Sequence, residues 1–307
     1  VEQRVQRGAG NVRINSIYVT NIPIKESWFR DAASANNYHL VCALKPEQHA
    51  MYMQQFPAQP HLAAFIKNYQ IIETPTARLN RVLPATSVVL ALRFKGQVGY
   101  VQPDGLQVLP PAVVSGVQRS YRLIQYAPDT GTVLVSFTEQ GAAAFLKASP
   151  YVLFNQSVAL QYLIAPPVIE QVLYRLAAAG HHEERVHITG AFLASFLKSA
   201  APDALVAEAI QRIRQSDGML RMKDLAASVY LSVDAFEKRF RGRTGASPKQ
   251  FAQIVRMRQV VAAQPPGTPI FDLACAADYY DQAHFHKHFQ QFTGLSPTAF
   301  YQSPQFW

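Results

Sequence analysis

The chain has 307 residues, 49% hydrophobic and 11% aromatic, which excludes a disordered chain and is enough for two domains. Only 16% are charged, yet the formal balance is +9, an excess that suits a polyanionic partner such as nucleic acid. Two cysteines, Cys42 and Cys275, far apart and without CxxC spacing, argue against a disulfide framework, a zinc ribbon or a cysteine-based metal site.

Residues 1–50 open without the apolar run of a signal peptide. Runs such as Gly8-Ala9-Gly10-Asn11 and Ala32-Ala33-Ser34-Ala35-Asn36-Asn37 are small and polar, with little periodicity. The segment reads as an extension of doubtful order, and an ordered strand over Ile14–Ile22 is the alternative. No stretch approaches the roughly 18 consecutive apolar residues of a membrane helix, so a cytoplasmic protein without a membrane partner is expected.

Residues 51–165 are expected to form a β-rich domain, a small barrel or sandwich. Ser87-Val88-Val89-Leu90-Ala91-Leu92 and Thr132-Val133-Leu134-Val135-Ser136-Phe137 are short apolar or β-branched runs. Turn chemistry separates such runs at Lys95-Gly96, Pro103-Asp104-Gly105, Pro110-Pro111 and Pro128-Asp129-Thr130-Gly131. Gly141–Leu146 reads as a short helix. The domain is expected to be a regulatory or dimerising module, and an apolar pocket is one form it could take.

Past Pro166-Pro167 the period becomes helical, and residues 166–204 read as a helical connector. Val168, Val172, Leu173 and Leu176 mark one helix ending at Gly180. Ile188, Phe192, Leu193, Phe196 and Leu197 mark a second. These helices are expected to join the domains, form a dimer contact, or simply supply core.

Residues 205–307 contain an internal repeat. Asp224-Leu225-Ala226 recurs as Asp272-Leu273-Ala274, a shift of 48. Phe236, Lys238, Phe240, Thr244, Gly245, Ser247, Pro248 and Phe251 recur as Phe285, Lys287, Phe289, Thr293, Gly294, Ser296, Pro297 and Phe300, a shift of 49. In each copy (about 222–245 and 270–294) a short alanine-containing helix precedes a turn. Ser232 or Asp281 then caps a second helix, whose two phenylalanines lie four apart and whose opposite face is polar. Gly245 and Gly294 read as left-handed C-terminal caps, with Pro248 and Pro297 in the first turn of the next helix. A helix anchored in this way, its polar face outward, is built to enter a major groove.

The motif Asp281-Gln282-Ala283-His284-Phe285-x-Lys287-x-Phe289-x-x-Phe292-Thr293-Gly294-Leu295-Ser296-Pro297 resembles the AraC/XylS family of bacterial transcription regulators over roughly 205–301. Residues 51–165 resemble, more loosely, an amino-terminal domain of some members, through Leu83-Pro84 and Ser115-Gly116-Val117-Gln118. The resemblance implies an α+β chain: a β-rich amino-terminal domain, then helices, then an all-α tandem helix-turn-helix module joined by a connector over Pro248–Ala263. By position it implies base contacts from Asp234, Glu237 and Lys238 in the first unit, and from Gln282, Ala283, His284 and Lys287 in the second. Ser232, Arg241, Arg256 and Arg258 are placed to meet the DNA backbone, the three arginines alternatively to brace the connector. Departures are Asp278 where glycine is usual, Gly242 inside the first recognition helix, which costs roughly 1 kcal/mol relative to alanine, and the stiff loop Pro265-Pro266-Gly267.

Double-stranded DNA is the expected partner; RNA polymerase, a small-molecule effector and a second copy of the chain stay open. The rival reading is a cupin-like or sugar-processing enzyme domain fused to a DNA-binding tail. It would need clustered histidines and carboxylates, and residues 78–165 contain no histidine. His284 and His288 stand four apart without an evident third ligand. No enzymatic activity, cofactor or metal is therefore expected.

Overall fold

The computed structural model describes residues 51–198, 201–262, 279 and 281–302, together with the backbone of 19–22. Cys42, Cys275, Asp278, Pro265-Pro266-Gly267 and the expected first helix of the second unit lie outside the described residues.

The β-rich part is two antiparallel sheets facing one another, with no closed barrel. Strands β1 (Val19–Ile22), β4 (Arg78–Val82), β9 (Arg122–Tyr126), β6 (Val98–Gln102) and β7 (Gly105–Val108) lie side by side in one sheet. The other runs β11 (Ser157–Ala159), β8 (Ala112–Ser115), β5 (Val89–Lys95), β10 (Thr130–Phe137), β3 (Ile66–Thr74) and β2 (Tyr52–Pro57). β1 pairs antiparallel with β4, Val19 opposite Val82, so part of the expected extension is a strand at the edge of the sheet. The turns fall where the punctuation puts them: Gly96, Gly105 and Asp129 take φ of 71°, 128° and 57°. The short helix expected over Gly141–Leu146 is a 3-10 helix over Gly141–Ala144.

β10 sits between β3 and β5 and sorts its side chains by period two. Val133, Val135 and Phe137 point to one face, into a core with Tyr69, Ile71, Leu90, Leu92 and Val114. Helices α1 (Pro166–Ala178) and α2 (His182–Ala194) complete that core with Ile169, Val172, Leu176, Ile188, Phe192 and Leu193. The segment expected to connect the domains thus lies on the sheet as a third layer. Val168, expected on the apolar stripe, is exposed, and Ile169 takes its place.

The other face of β10 looks toward the five-stranded sheet. Leu134 meets Ile72, Val98, Tyr126 and Ile124 there. Beside this small apolar patch the layer is polar. Gln70, Thr132, Ser136 and Asn80 are all buried, and Thr132 Oγ1, Ser136 Oγ and Asn80 Oδ1 have no hydrogen-bond partner among the described residues. At one end Tyr100 Oη lies 2.8 Å from Ser157 Oγ, to which Arg122 also donates at 2.7 Å.

The remaining described helices are α3 (Ala204–Gln215), α4 (Met222–Ser228), α5 (Val233–Thr244), α6 (Pro248–Ala262), α7 (Gln282–Thr293) and α8 (Pro297–Gln302). They serve two cores. Ile210, Ile213, Leu225, Phe236, Phe240 and Phe251 lie in the first, and Ile254, Met257, Phe285, Phe289, Phe292 and Phe300 in the second. α6 belongs to both, giving Phe251, Ala252 and Val255 to one and Ile254, Met257 and Val260 to the other. Leu83 and Val117 of the β-rich part are buried in the second core. Among the described residues, no helix is long and apolar enough to cross a membrane.

Candidate nucleic-acid interface

The two copies of the repeat fold alike, down to individual contacts. At the start of α5, Ser232 Oγ accepts from the amide of Ala235 at 3.3 Å; at the start of α7, Asp281 Oδ1 accepts from that of His284 at 2.7 Å. These bonds satisfy amides that have no partner inside a helix. At the other ends Gly245 and Gly294 both take φ +80°, and their amides donate to Arg241 O and Gln290 O. Glycine alone enters this left-handed region without steric cost.

The repeated threonine also has a common job. Thr244 Oγ1 donates to Phe240 O and accepts from Ala246 N, while Thr293 Oγ1 donates to Phe289 O and accepts from Leu295 N. Each thereby ties the last turn of a recognition helix to the chain leaving it. Phe240 meets Phe251 edge-on with centroids 5.4 Å apart at 85°, and Phe289 meets Phe300 at 5.3 Å and 85°. Offset or edge contacts of this kind add to the burial of the rings.

Anchoring the phenylalanines turns the other faces outward. Asp234 and Lys238 on α5 are exposed, and Glu237 is half-buried; on α7, Gln282, Ala283, His284 and Lys287 are all exposed. Every side chain the resemblance nominated for base contact is therefore outside the cores. Glu237 lies 3.8 Å from Arg241, an exposed i, i+4 pair. Such a pair is worth little in stability. Arg241 also stands over the Tyr151 ring at 5.2 Å.

The arginines of the connector bond inward. Arg256 donates to Gly218 O at 3.0 Å, and Arg258 donates to Pro84 O at 2.9 Å. His288, next to the exposed face of α7, lies with Nδ1 2.7 Å from Tyr279 Oη. Burial, with the neighbouring His284 and Arg256, holds its imidazole below the usual pKa, toward the neutral form.

Sequence reasoning passed over a group on the first unit's flank. Arg239 donates to both carboxylate oxygens of Asp203, at 2.7 and 3.1 Å, and Arg243 lies 3.9 Å from the same carboxylate. Asp203 also caps α3, accepting from Leu205 N and Val206 N. Its backbone is held by Gln140 of the β-rich part, at 2.9 Å to Asp203 N and 3.1 Å from Asp203 O. Burial pushes the carboxyl up, but the bonds from Arg239 and the two amides outweigh it and hold it below its ordinary value. Arg239 and Arg243 stand i, i+4 on a helix already read as basic, which was the available signal.

Both recognition helices end against the β-rich part. The Cα of Gly245 faces Pro150, and that of Gly294 faces Tyr121 and Arg81. Arg81 in turn lies over the Tyr121 ring at 4.8 Å.

Residues 225–303 match a family described as a helix-turn-helix domain, and residues 54–159 match a domain of unknown function, DUF6597. No curated protein is significantly similar in sequence. Among solved structures the chain is similar to ToxT from Vibrio cholerae, at 9% identity and a TM-score of 0.41, over 76% of this chain and 96% of that one. It is also similar to unsaturated fatty acid-bound ToxT from Vibrio cholerae strain SCE256, at 12% identity and a TM-score of 0.39, over 75% and 92%. The AraC-like transcriptional activator CuxR is similar at 12% identity and a TM-score of 0.29, over 74% and 85%. A repeat that folds as paired caps, paired aromatic anchors and paired outward faces, inside a stretch that matches the helix-turn-helix family, makes this chain a DNA-binding transcription regulator with a tandem helix-turn-helix domain.

Proposed function

We propose that α5 and α7 read two different sequence blocks of one asymmetric operator. The observation that carries this is the contrast between like scaffolds and unlike faces. The caps and aromatic pairs coincide, whereas Asp234, Glu237 and Lys238 face outward in one copy and Gln282, Ala283, His284 and Lys287 in the other. Successive major-groove faces are about 34–36 Å apart, so the blocks should lie roughly 10–10.5 base pairs centre to centre. Lysine suits guanine edges and glutamine suits adenine. Ser232–Arg258 holds seven Lys/Arg against two Asp/Glu, whereas Asp281–Trp307 holds one of each. Sequence-independent attraction therefore resides mainly in the first unit, and the second supplies chiefly selectivity.

The test is affinity for a panel of single-base operator variants at fixed salt. Lys238→Ala should relax preference in one block and Lys287→Ala in the other, each by about 1–3 kcal/mol where the contact is bidentate. Equal losses across the whole panel for both variants would mean that these lysines touch only phosphate.

We also infer that the β-rich domain is regulatory rather than catalytic and seats a small polar effector between its sheets, acting in the cytoplasm. The buried Thr132 Oγ1, Ser136 Oγ and Asn80 Oδ1, each without a partner among the described residues, support that seat, because buried polar atoms ordinarily hold a hydrogen bond. A panel of free sugars and small carboxylic acids, screened by thermal shift, should contain a compound whose effect Thr132→Val abolishes. A hit that survives that substitution would place the ligand elsewhere.

A further inference from the structure

An open cleft of about 710 Å³ separates the first recognition helix from the Ala143–Pro150 segment of the β-rich domain. Its walls are cationic on both sides. Lys147 and Lys198 stand on the domain side, and Lys238, Arg239 and Arg243 on the helix side. One carboxylate, Asp203, lines it as well, and that group is already engaged by the two arginines. Lys198 uses one of its three donors on Leu146 O. Lys147 and Lys238 have no ion-pair partner among the described residues, and all three lysines are exposed.

The helix side of the cleft has a second feature. Between its cations the lining residues of α5 are Ala235 and Gly242. Glycine inside a helix weakens it, and a close backbone neighbour is the usual reason for one. Here no protein atom among the described residues supplies that reason: a Cβ on Gly242 would meet nothing within 4 Å. The missing side chain is of use to something that enters the cleft from outside.

A helix lying in a major groove has a sugar-phosphate strand along each flank, and most contacts to such strands fix position rather than sequence. At about 100° per residue, Ala235, Arg239 and Gly242 lie on one flank of α5, beside Lys238 and away from Phe236 and Phe240. We propose that this cleft receives one phosphodiester strand of the duplex that α5 engages, with Lys147 and Lys198 as phosphate contacts contributed by the β-rich domain. The proposal rests on the reading that α5 enters the groove. It makes the amino-terminal domain part of the DNA-binding surface and explains Gly242 as room for a backbone to approach.

The experiment measures affinity of the full chain for a selected operator duplex and for an unrelated duplex, as a function of salt. Each lost phosphate contact lowers the slope of log K against log salt by about 0.9, which is roughly fivefold in affinity at about 0.15 M. Lys147→Ala/Lys198→Ala should therefore flatten the slope by about two and weaken both duplexes alike, leaving their ratio unchanged. Gly242→Ala should raise the melting temperature and yet weaken both duplexes. A double variant with unchanged slope and affinity would overturn the proposal, as would Gly242→Ala that stabilises the protein with no loss of binding. If the double variant abolished only binding of inorganic phosphate, the cleft would be a small-anion site and the proposal would fall. A flat base-variant panel for Lys238→Ala, with the slope effect intact, would sink the assignment of the reading face instead.

Discussion

Arg81, on β4, donates from Nη1 to the main-chain oxygen of Thr293, the last residue of α7, across 2.8 Å of buried interior. A carbonyl at a helix C-terminus has no partner inside the helix, and the dipole there favours a cation. One side chain of the β-rich domain thus closes the end of the second recognition helix. Charge-assisted bonds of this kind contribute about 1.5–3 kcal/mol. Arg81→Ala should cost on that order and let the helix-turn-helix module melt apart from the β-rich domain. Calorimetry would show two transitions where the parent shows one; a single unshifted transition would refute the coupling.

Gly245 and Gly294 occupy equivalent caps with the same φ, so alanine at either incurs the same left-handed strain, about 1–2 kcal/mol. Their surroundings differ. A Cβ on Gly245 would press on Pro150 at 3.2 Å, whereas on Gly294 it would run into the Arg81 guanidinium and the Tyr121 ring. Gly294→Ala should therefore destabilise more than Gly245→Ala in chemical denaturation, and equal costs would mean that the β4 end yields freely.

Phe289 is fully buried between Phe285, 5.7 Å away, and Phe300. Truncation to alanine removes the ring and leaves a cavity, a loss of about 3–5 kcal/mol. Phe289→Leu should recover most of it. Urea midpoints for the two variants check this, and near-identical midpoints would show that the site collapses around the smaller side chain.

Asp203 offers a pH signature. Its carboxyl is depressed on folding, so the stability it contributes is fully present above its ordinary pKa of 3.8 and is lost as pH falls through the lower folded value. Asp203→Asn keeps an oxygen to cap α3 but gives up the charge facing Arg239 and Arg243. The variant should melt earlier than the parent at about pH 6, and the gap should close as pH is lowered below about 3.8. A gap constant with pH would show that the charge contributes nothing.

The helix-turn-helix pair was legible because its chemistry is local. Ser232, Phe236, Phe240 and Gly245 act within about a dozen residues of one another, so their spacing is visible as a pattern and recurs in the second copy. The strands around Val89 and Val133 were legible for the same reason, through turn residues at their ends. What stayed hidden was contact between segments far apart in the chain. Arg81 and Thr293 are separated by 212 positions, and no periodicity joins them. Leu83 and Val117 looked like parts of a β-rich domain, and they are, but their burial lies in the second helical core. The apolar stripe of α1 was seen, yet only the sheet beneath it decides that Ile169 rather than Val168 turns inward.

Phe251 and Ile254, three residues apart on α6, answer to different cores. One residue inserted between them would turn everything downstream by about 100° and advance it about 1.5 Å, tearing one core or the other. The length of α6 between the two cores is therefore a heritable constant of the fold, closed to drift by insertion or deletion. On the reading proposed for α5 and α7, a lineage carrying this architecture retargets by exchanging letters on their exposed faces, while α6 between them stays the same length.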